Sequence, residues 1–461
     1  MRAGRLALAA IAALAAGGWA VSAGTVSRID GPATASVGAS PVFSGAPASV
    51  VTVNDVGAID TEVVLAASAL VRSTGGEVGL GRSAMLGMVR VTRGGVPVLN
   101  APSGLRYPMS VSALPAHAVL ALMGPGVSSG LDAGRIVMGA TSAGLHGIVA
   151  GDVVELTAFN GSVVSLAVSS VVPDSVVRGT EILVDLDAAG RLGMSRDTYV
   201  IGWNVDRAAF QAGFVSGPLA NRRETKVRRS WDAPDPDSTL STARVKQQLG
   251  IPAYVVRGDG SVGIDDVWVA ANLPGERLLL NESIRIRARC HNGVNDALRA
   301  ALAEVAATGR AAAIDVTNSN RYGGCFQARF NRIAGDIGIL SRHTWGMALD
   351  INTADNCQGC RPVLDCEVVR IFRRHGFAWG GTFTRPDGMH FEWVGEPRDQ
   401  LDYPSLFCPN IVTAPPPADT TDDAVDLDPG GDGGGEVSDA SLDSADLEML
   451  HLPDATIWAL R

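Results

Sequence analysis

Short valine-rich runs, separated by glycine, asparagine, proline and aspartate, are frequent in the first half of the chain. Residues 151–156 and 162–172 are two examples. β-Branched residues bounded by turn-forming residues predict strands. We therefore predict a β-rich accessory domain over residues 25–225. It contains no catalytic motif, and the sequence does not define its role.

Different patterns follow in the second half. Residues 283–290 alternate apolar and basic side chains, which predicts a half-buried strand. Apolar residues then recur every three or four positions, which predicts a helix with Asn292 as its N-cap and Gly309 as its C-terminal stop. We expect residues 311–316 to form a strand and residues 362–374 a second helix. This alternation predicts an α+β domain.

The two halves are joined by a charged stretch. Basic residues cluster between positions 222 and 229, and proline and aspartate dominate positions 232–237. Such a composition is typical of an exposed domain boundary, so we predict a linker over residues 226–239. A solvated connector is the favoured interpretation, and a patch that binds anionic polymers or lipid headgroups is the alternative.

Charge is concentrated at the C-terminus. Residues 411–461 hold 12 of the 48 acidic residues and one of the 38 basic residues. The formal net charge is −10, so the other 410 residues carry about +1. The tail, poor in aromatic residues, is predicted to be disordered. Without a basic field on the folded part, we expect no nucleic-acid partner.

The N-terminus has the composition of an export signal. Arg2 and Arg5 precede an apolar stretch, and small residues follow at positions 21–23. We predict a signal peptide over residues 1–24, with an uncleaved membrane anchor as the alternative. The protein is therefore expected to be secreted or extracytoplasmic, or anchored to the membrane by this segment.

The cysteines support an oxidising compartment. All six lie between Cys290 and Cys408, and an even number in an exported chain predicts disulfides whose pairing stays open. Cys357 and Cys360 could also belong to a zinc ribbon, but the second Cys-x-x-Cys pair of such a site is absent. We therefore favour disulfides.

One constellation carries metal chemistry. His343 and Asp350 are seven positions apart, and in an unbroken strand this odd separation would point their side chains to opposite faces. A bend is therefore needed for both to face one ion, and Trp345-Gly346 is a suitable place for it. His390 follows forty residues beyond Asp350, with Asp387 three positions before it. Two imidazoles and one carboxylate suit zinc and leave a fourth position for water.

These motifs resemble the zinc peptidases that include D-alanyl-D-alanine carboxypeptidases, vancomycin-resistance dipeptidases and phage L-alanyl-D-glutamate endolysins, which share a fold with hedgehog proteins. Their pattern is Ser-x-His-x-x-Gly-x-Ala-x-Asp, followed by an acidic residue-x-x-His. The chain matches it at Ser341, His343, Gly346, Ala348, Asp350, Asp387 and His390. Residues 323–329 and 377–379 resemble the endolysin branch. The resemblance covers about residues 240–410 and implies an antiparallel sheet with flanking helices.

The resemblance also implies roles. His343, Asp350 and His390 would bind zinc, and Asp387 would be the general base and acid. Arg329 would stabilise the oxyanion or bind the terminal carboxylate of the substrate. Ser341 would bind substrate or orient its loop.

The expected function is that of an exported, cell-wall-associated zinc metallopeptidase that hydrolyses peptidoglycan stem peptides. The first hypothesis is a D-alanyl-D-alanine carboxypeptidase. The alternatives are an L-alanyl-D-glutamate type endopeptidase and a zinc-containing module that binds or regulates the cell wall without catalysis. The sequence does not define the oligomeric state.

Overall fold

The computed structural model describes residues 49–131, 134–220, 222, 224–317, 321–400 and 405–410. The predicted export segment and the predicted disordered tail lie outside these residues. Within the described ranges, no helix combines the length and the apolar character needed to cross a membrane. The mixed α/β content expected from the sequence is confirmed.

The first part of the described chain contains ten strands and six helices. The strands are Val50–Asp55 (β1), Glu77–Arg93 (β2), Val96–Asn100 (β3), Tyr107–Ala113 (β4), Ile136–Gly139 (β5), Val153–Thr157 (β6), Val163–Val172 (β7), Ile182–Val184 (β8), Tyr199–Trp203 (β9) and Thr225–Arg229 (β10). The helices are Thr61–Ser73 (α1), Ala116–Met123 (α2), Pro125–Leu131 (α3), Ala140–His146 (α4), Leu186–Arg191 (α5) and Arg207–Val215 (α6).

Six of these strands close into a barrel. The order is β2-β4-β8-β5-β7-β6, and β6 pairs back with β2. Strand β2 has 17 residues and takes part in both ends of the strand order. Its register with β6 shifts between Met88 and Arg90. Alternate apolar residues such as Met88, Val111 and Leu156 fill the interior. Beyond the barrel, the first residues of β2 continue into a sheet with β9, β1 and β10.

The prediction of a linker over residues 226–239 is wrong. Thr225–Arg229 pairs with β1 along its whole length, and the side chain of Lys226 is 1% exposed. The acidic residues that follow neutralise these bases: Arg229 bonds Asp232 at 2.7 Å and Arg228 bonds Asp235 at 3.0 Å. The charged composition therefore reflects pairing within the fold rather than contact with solvent.

The second part begins with Thr242–Leu249 (α7). Its strands are Tyr254–Val256 (β11), Val262–Ile264 (β12), Leu278–Leu279 (β13), Arg287–Ala288 (β14), Tyr322–Gly323 (β15), Ala348–Ile351 (β16), Phe377–Trp379 (β17) and His390–Trp393 (β18). The other helices are Asp266–Asn272 (α8), Asn295–Ala307 (α9) and Cys366–Arg374 (α10). Strands β15, β16, β18 and β17 form a four-stranded antiparallel sheet in that order, and α9 and α10 pack together beside it.

Several elements of the second part differ from their predicted boundaries. Helix α9 begins at Asn295, so its N-cap is Val294 rather than Asn292, and it ends before Gly309 (φ +74°). The strand predicted over residues 311–316 is wrong, because residues 311–313 form a 3₁₀ turn. The backbone N–H of Asp315 then donates to the side chain of Asn352 rather than to a neighbouring strand.

Residues 283–290 show the predicted alternation of buried and exposed side chains, but most of them are not in a strand. Ile284, Ile286 and Ala288 are buried, yet only Arg287–Ala288 enters a ladder. Helix α10 ends at Arg374 as predicted, but it begins at Cys366 rather than at residue 362. Its N-cap is Asp365, whose side chain accepts from two backbone N–H groups. The helix therefore begins after this residue, later in the chain than predicted.

Three disulfides lie in the second part, as the cysteine pattern predicts. They join Cys290 to Cys325, Cys357 to Cys360, and Cys366 to Cys408. The Cys-x-x-Cys pair is therefore engaged in a disulfide.

The two parts are packed directly on each other. The ammonium of Lys246 on α7 forms a buried ion pair with Glu181 and donates to the carbonyl of Pro108 at 2.7 Å. Arg106 and Tyr254 exchange two backbone hydrogen bonds of 2.9 and 2.8 Å. A buried charge without its partner is costly, so the pair of Lys246 and Glu181 holds the barrel against the second part in one arrangement.

Candidate metal centre

A tight turn brings the two ends of the first motif to one place. Residues 342–345 form a 3₁₀ turn whose N-cap is Ser341, and the N–H of His343 donates to its hydroxyl at 3.4 Å. Gly346 ends the turn in the left-handed region (φ +69°). The chain then enters β16, where Asp350 lies. The bend required by the odd separation of His343 and Asp350 is therefore present.

Strand pairing supplies the third residue. Asp350 on β16 lies directly opposite His390 on β18. The Oδ1 atom of Asp350 is 3.2 Å from His343 Nε2 and 3.1 Å from His390 Nδ1. One ligand atom from each residue lies within 4.8 Å of the others.

The second nitrogen of each imidazole is also engaged. His343 Nδ1 lies 3.2 Å from the carbonyl of Cys325, and His390 Nε2 lies 3.4 Å from the carboxylate of Glu392. Such contacts fix the ring orientation and the tautomer of metal-binding histidines. Glu392 is not predicted from the sequence, although its place two residues after His390 on a strand puts both side chains on one face.

Electrostatics match the geometry. Burial opposes ionisation of Asp350, but the two histidines outweigh it and hold the pKa of this carboxyl well below its usual range. Burial also opposes protonation of His390, yet hydrogen bonds to Asp350 and Glu392 raise its pKa well above the usual value. The site therefore concentrates negative charge that a cation would share.

The side chains present fit a zinc ion. His343 Nε2 is buried and faces Asp350 Oδ1 at 3.2 Å, as two ligand atoms that share one ion would. Ligands about 2.0–2.2 Å from a tetrahedral zinc are separated by roughly 3.4 Å. The observed separations of 3.1 and 3.2 Å from Asp350 Oδ1 are close to that value. Two imidazoles and one carboxylate also leave a coordination position for substrate or water.

Asp387 lies in the turn that leads into β18. Its Oδ2 atom accepts from the amide of Gln358 at 3.2 Å, and its Oδ1 atom is buried without a hydrogen-bond partner in the described structure. Burial raises the pKa of this carboxyl. Gln358, between the cysteines of the Cys357–Cys360 disulfide, was missed because no local pattern links it to a carboxylate 29 residues away.

Arg329 and Ser341 lie at the same place. The N–H of Ser341 donates to the carbonyl of Arg329 at 3.0 Å, which ties the arginine segment to the turn of His343. The guanidinium of Arg329 is held by the side chain of Gln327 at 3.1 Å and by the carbonyl of Phe330 at 3.3 Å. Burial and neighbouring Arg332 lower its pKa, and the carboxylates of the site oppose this.

All six residues singled out in the sequence are thus brought together. Arg329, Ser341, Asp387 and His390 line one open cleft. His343 and Asp350 lie beside His390 at its edge.

A family model described as D-alanyl-D-alanine carboxypeptidase matches residues 334–393. This segment contains Ser341, His343, Asp350, Asp387 and His390, whereas Arg329 precedes it. A comparison with curated proteins gives no match. The family match supports a hydrolase of the peptidase class for this part of the chain, and the cluster of His343, Asp350 and His390 agrees with the zinc dependence typical of that family.

Proposed function

We propose that the protein is a zinc metallopeptidase that removes the terminal D-alanine from peptidoglycan stem peptides. The observation that carries this proposal is the position of Asp387. Its carboxylate shares one cleft with His390, a member of the three-residue cluster, and one of its oxygens lacks a partner among the described residues. A metal site that serves structure alone has no use for such a group.

His343, Asp350 and His390 would hold the ion. When bound, zinc supplies a Lewis acid that polarises the scissile carbonyl and acidifies water. The contacts to Cys325 and Glu392 keep both imidazoles in the orientation that binding requires.

Asp387 would move the proton. Gln358 holds Oδ2, which leaves Oδ1 to accept a proton from the attacking water and to deliver it to the leaving amine. The burial that raises the pKa of this carboxyl brings its proton affinity closer to what both transfers need.

The arginines of the cleft favour a substrate with a free carboxylate. Four of them line it: Arg329, Arg332, Arg342 and Arg385, of which Arg342 is buried beside Glu392. A guanidinium binds a carboxylate through two parallel hydrogen bonds, and the other three arginines favour an anionic chain end. This charge suits the terminal carboxylate that a carboxypeptidase binds beside the scissile bond.

We place this activity outside the cytoplasm. Three disulfides in one part of the chain support an oxidising compartment, in agreement with the composition of residues 1–24. The cell wall is where a stem peptide would be found.

The carboxylate can be tested with two synthetic stem pentapeptides that differ only at the C-terminus, one free and one amidated. We expect the zinc-loaded protein to release alanine from the free acid about tenfold faster than alaninamide from the amide, since a charged hydrogen bond of about 1.5–3 kcal/mol is lost in the amide. Internal cleavage of both peptides at equal rates would favour an endopeptidase. A chain that retains zinc but cleaves neither peptide would favour the non-catalytic module.

A further inference from the structure

The cleft has a second wall that the peptidase motifs do not supply. Its lining includes six residues from the barrel-containing first part: Asn54, Asp55, Val56, Gly57, Ser83 and Thr198. The sequence predicted this part as a separate domain without a defined role. The same cavity therefore receives side chains from the end of β1 and from the metal-centre segment.

Direct contacts hold the two walls together. Gly338 (φ +79°) lies so close to β2 that a Cβ atom there would be 2.2 Å from the carbonyl oxygen of Met85, a distance that admits glycine alone. Arg196 of the first part pairs with Asp336 of the second. Glu224 lies 3.5 Å from Arg385, one of the arginines of the cleft. The second wall is therefore a fixed part of the cavity.

Most polar groups of this wall are already used by the fold. Asp55 accepts from the hydroxyl of Thr225 and from the N–H of Asp60. Thr198 accepts from the N–H of Ser83 at 2.9 Å. These side chains have little capacity left for a ligand.

Asn54 differs from them. Along β1, Val51 and Val53 pack into the core with Val63 and Phe210 of α1 and α6, so alternation turns Asn54 to the opposite face of the strand. The carboxamide oxygen of Asn54 is buried and has no hydrogen-bond partner among the described residues. An unsatisfied carboxamide in a cavity is costly unless a ligand completes its hydrogen bonds.

We infer that β1 forms the second wall of the substrate cleft and that Asn54 is a specificity-determining residue, whose carboxamide binds a peptide group of the stem peptide. This inference rests on the proposed function. The carboxamide offers a donor and an acceptor, and rotation about its last torsion can present either one. It is complementary to a neutral peptide group, whereas the arginines of the opposite wall are complementary to a carboxylate.

The test measures binding of an acetylated stem pentapeptide by calorimetry to the full-length, zinc-loaded protein. An Asp387→Ala background prevents turnover. Asn54→Ala and Asn54→Leu are added to it separately, because leucine keeps the volume and removes the hydrogen bonds. Asn100→Ala is the matched control, since Asn100 is exposed at the end of β3 and lies outside the cleft lining.

We expect both Asn54 variants to bind about fivefold more weakly, the effect of one or two neutral hydrogen bonds, with unchanged zinc content. Asn100→Ala should match the parent. In the protein that keeps Asp387, Asn54→Ala should raise KM and leave kcat unchanged. The reason is that the lost hydrogen bond would be made equally with the bound substrate and with the transition state.

Unchanged or tighter binding in both Asn54 variants would overturn the inference, and so would an equal loss in Asn100→Ala. The proposed function fails separately: a protein that binds the peptide but never releases alanine would contradict the peptidase and, with weakened Asn54 variants, still support the second wall. Absence of any peptide binding would overturn both.

Discussion

The metal centre and the second wall of the cleft are built in different ways. His343, Asp350 and His390 come from a turn and two paired strands within 48 residues, and their spacing is visible as a motif. Asn54 reaches the same cleft from nearly 300 positions away, through packing of β1 against the second part. The comparison teaches that chemistry which needs fixed ligand spacing is legible in sequence, whereas the shape of a cleft depends on tertiary contacts.

The strongest test of this contrast removes a metal ligand. His343→Ala should lose bound zinc and at least roughly a thousandfold in hydrolysis rate, because Lewis-acid catalysis disappears with the ion. His117→Ala, an exposed histidine of the first part, is the control and should keep both. Zinc is measured by atomic emission and hydrolysis by alanine release. A His343→Ala protein with one zinc per chain and normal turnover would contradict the ligand assignment.

Next in size is the proposed base. Asp387→Ala should retain zinc and lose roughly 10²- to 10⁴-fold in kcat, the usual contribution of general acid-base catalysis. Asp296→Ala removes a carboxylate that is 98% exposed and should leave kcat unchanged. The two variants are compared by zinc content and steady-state kinetics. Normal kcat in Asp387→Ala would show that another group moves the proton.

The packing of the two parts can be broken at its buried ion pair. Lys246→Met removes the partner of Glu181, whose side chain is fully buried, and should lower the free energy of unfolding by about 3 kcal/mol. A Lys246→Met, Glu181→Leu double variant should recover most of that stability, because no unpaired charge remains. Urea unfolding measures both. Equal stability of Lys246→Met and wild type would mean that the pair does not hold the parts together.

The smallest effect is expected at Gln358. Gln358→Ala frees the Oδ2 atom of Asp387, and kcat should fall about threefold to tenfold while KM and zinc content stay the same, the effect of one hydrogen bond. Gln247→Ala, at an exposed position on α7, serves as the reference. A larger KM with normal kcat would instead place Gln358 in contact with substrate.

The sequence was sufficient to predict His343, Asp350 and His390, because binding of one ion constrains their spacing. Gln358 and Glu392 were not predicted, because neither belongs to a motif. Gln358 meets Asp387 only when the Cys357–Cys360 loop folds, and Glu392 meets His390 only because both lie on one face of a strand. The prediction placed residues 226–239 outside the fold, because a basic run followed by an acidic one gives no local sign that the two pair with each other.

Local propensity also failed where side chains replaced backbone partners. Residues 311–316 have strand composition, but Asn352 takes the N–H of Asp315 that a neighbouring strand would have used. The first part was predicted only to be β-rich. Closure of the barrel depends on the pairing of β2 with β6, and these two strands lie far apart in the sequence.

The central claim is tested most directly by mass spectrometry of a purified disaccharide-pentapeptide incubated with the zinc-loaded protein, with the metal-stripped protein beside it. The account predicts loss of one terminal alanine with zinc and an unchanged substrate without it. A cut nearer to the sugar would contradict the carboxypeptidase, and an intact substrate with zinc bound would contradict the peptidase itself.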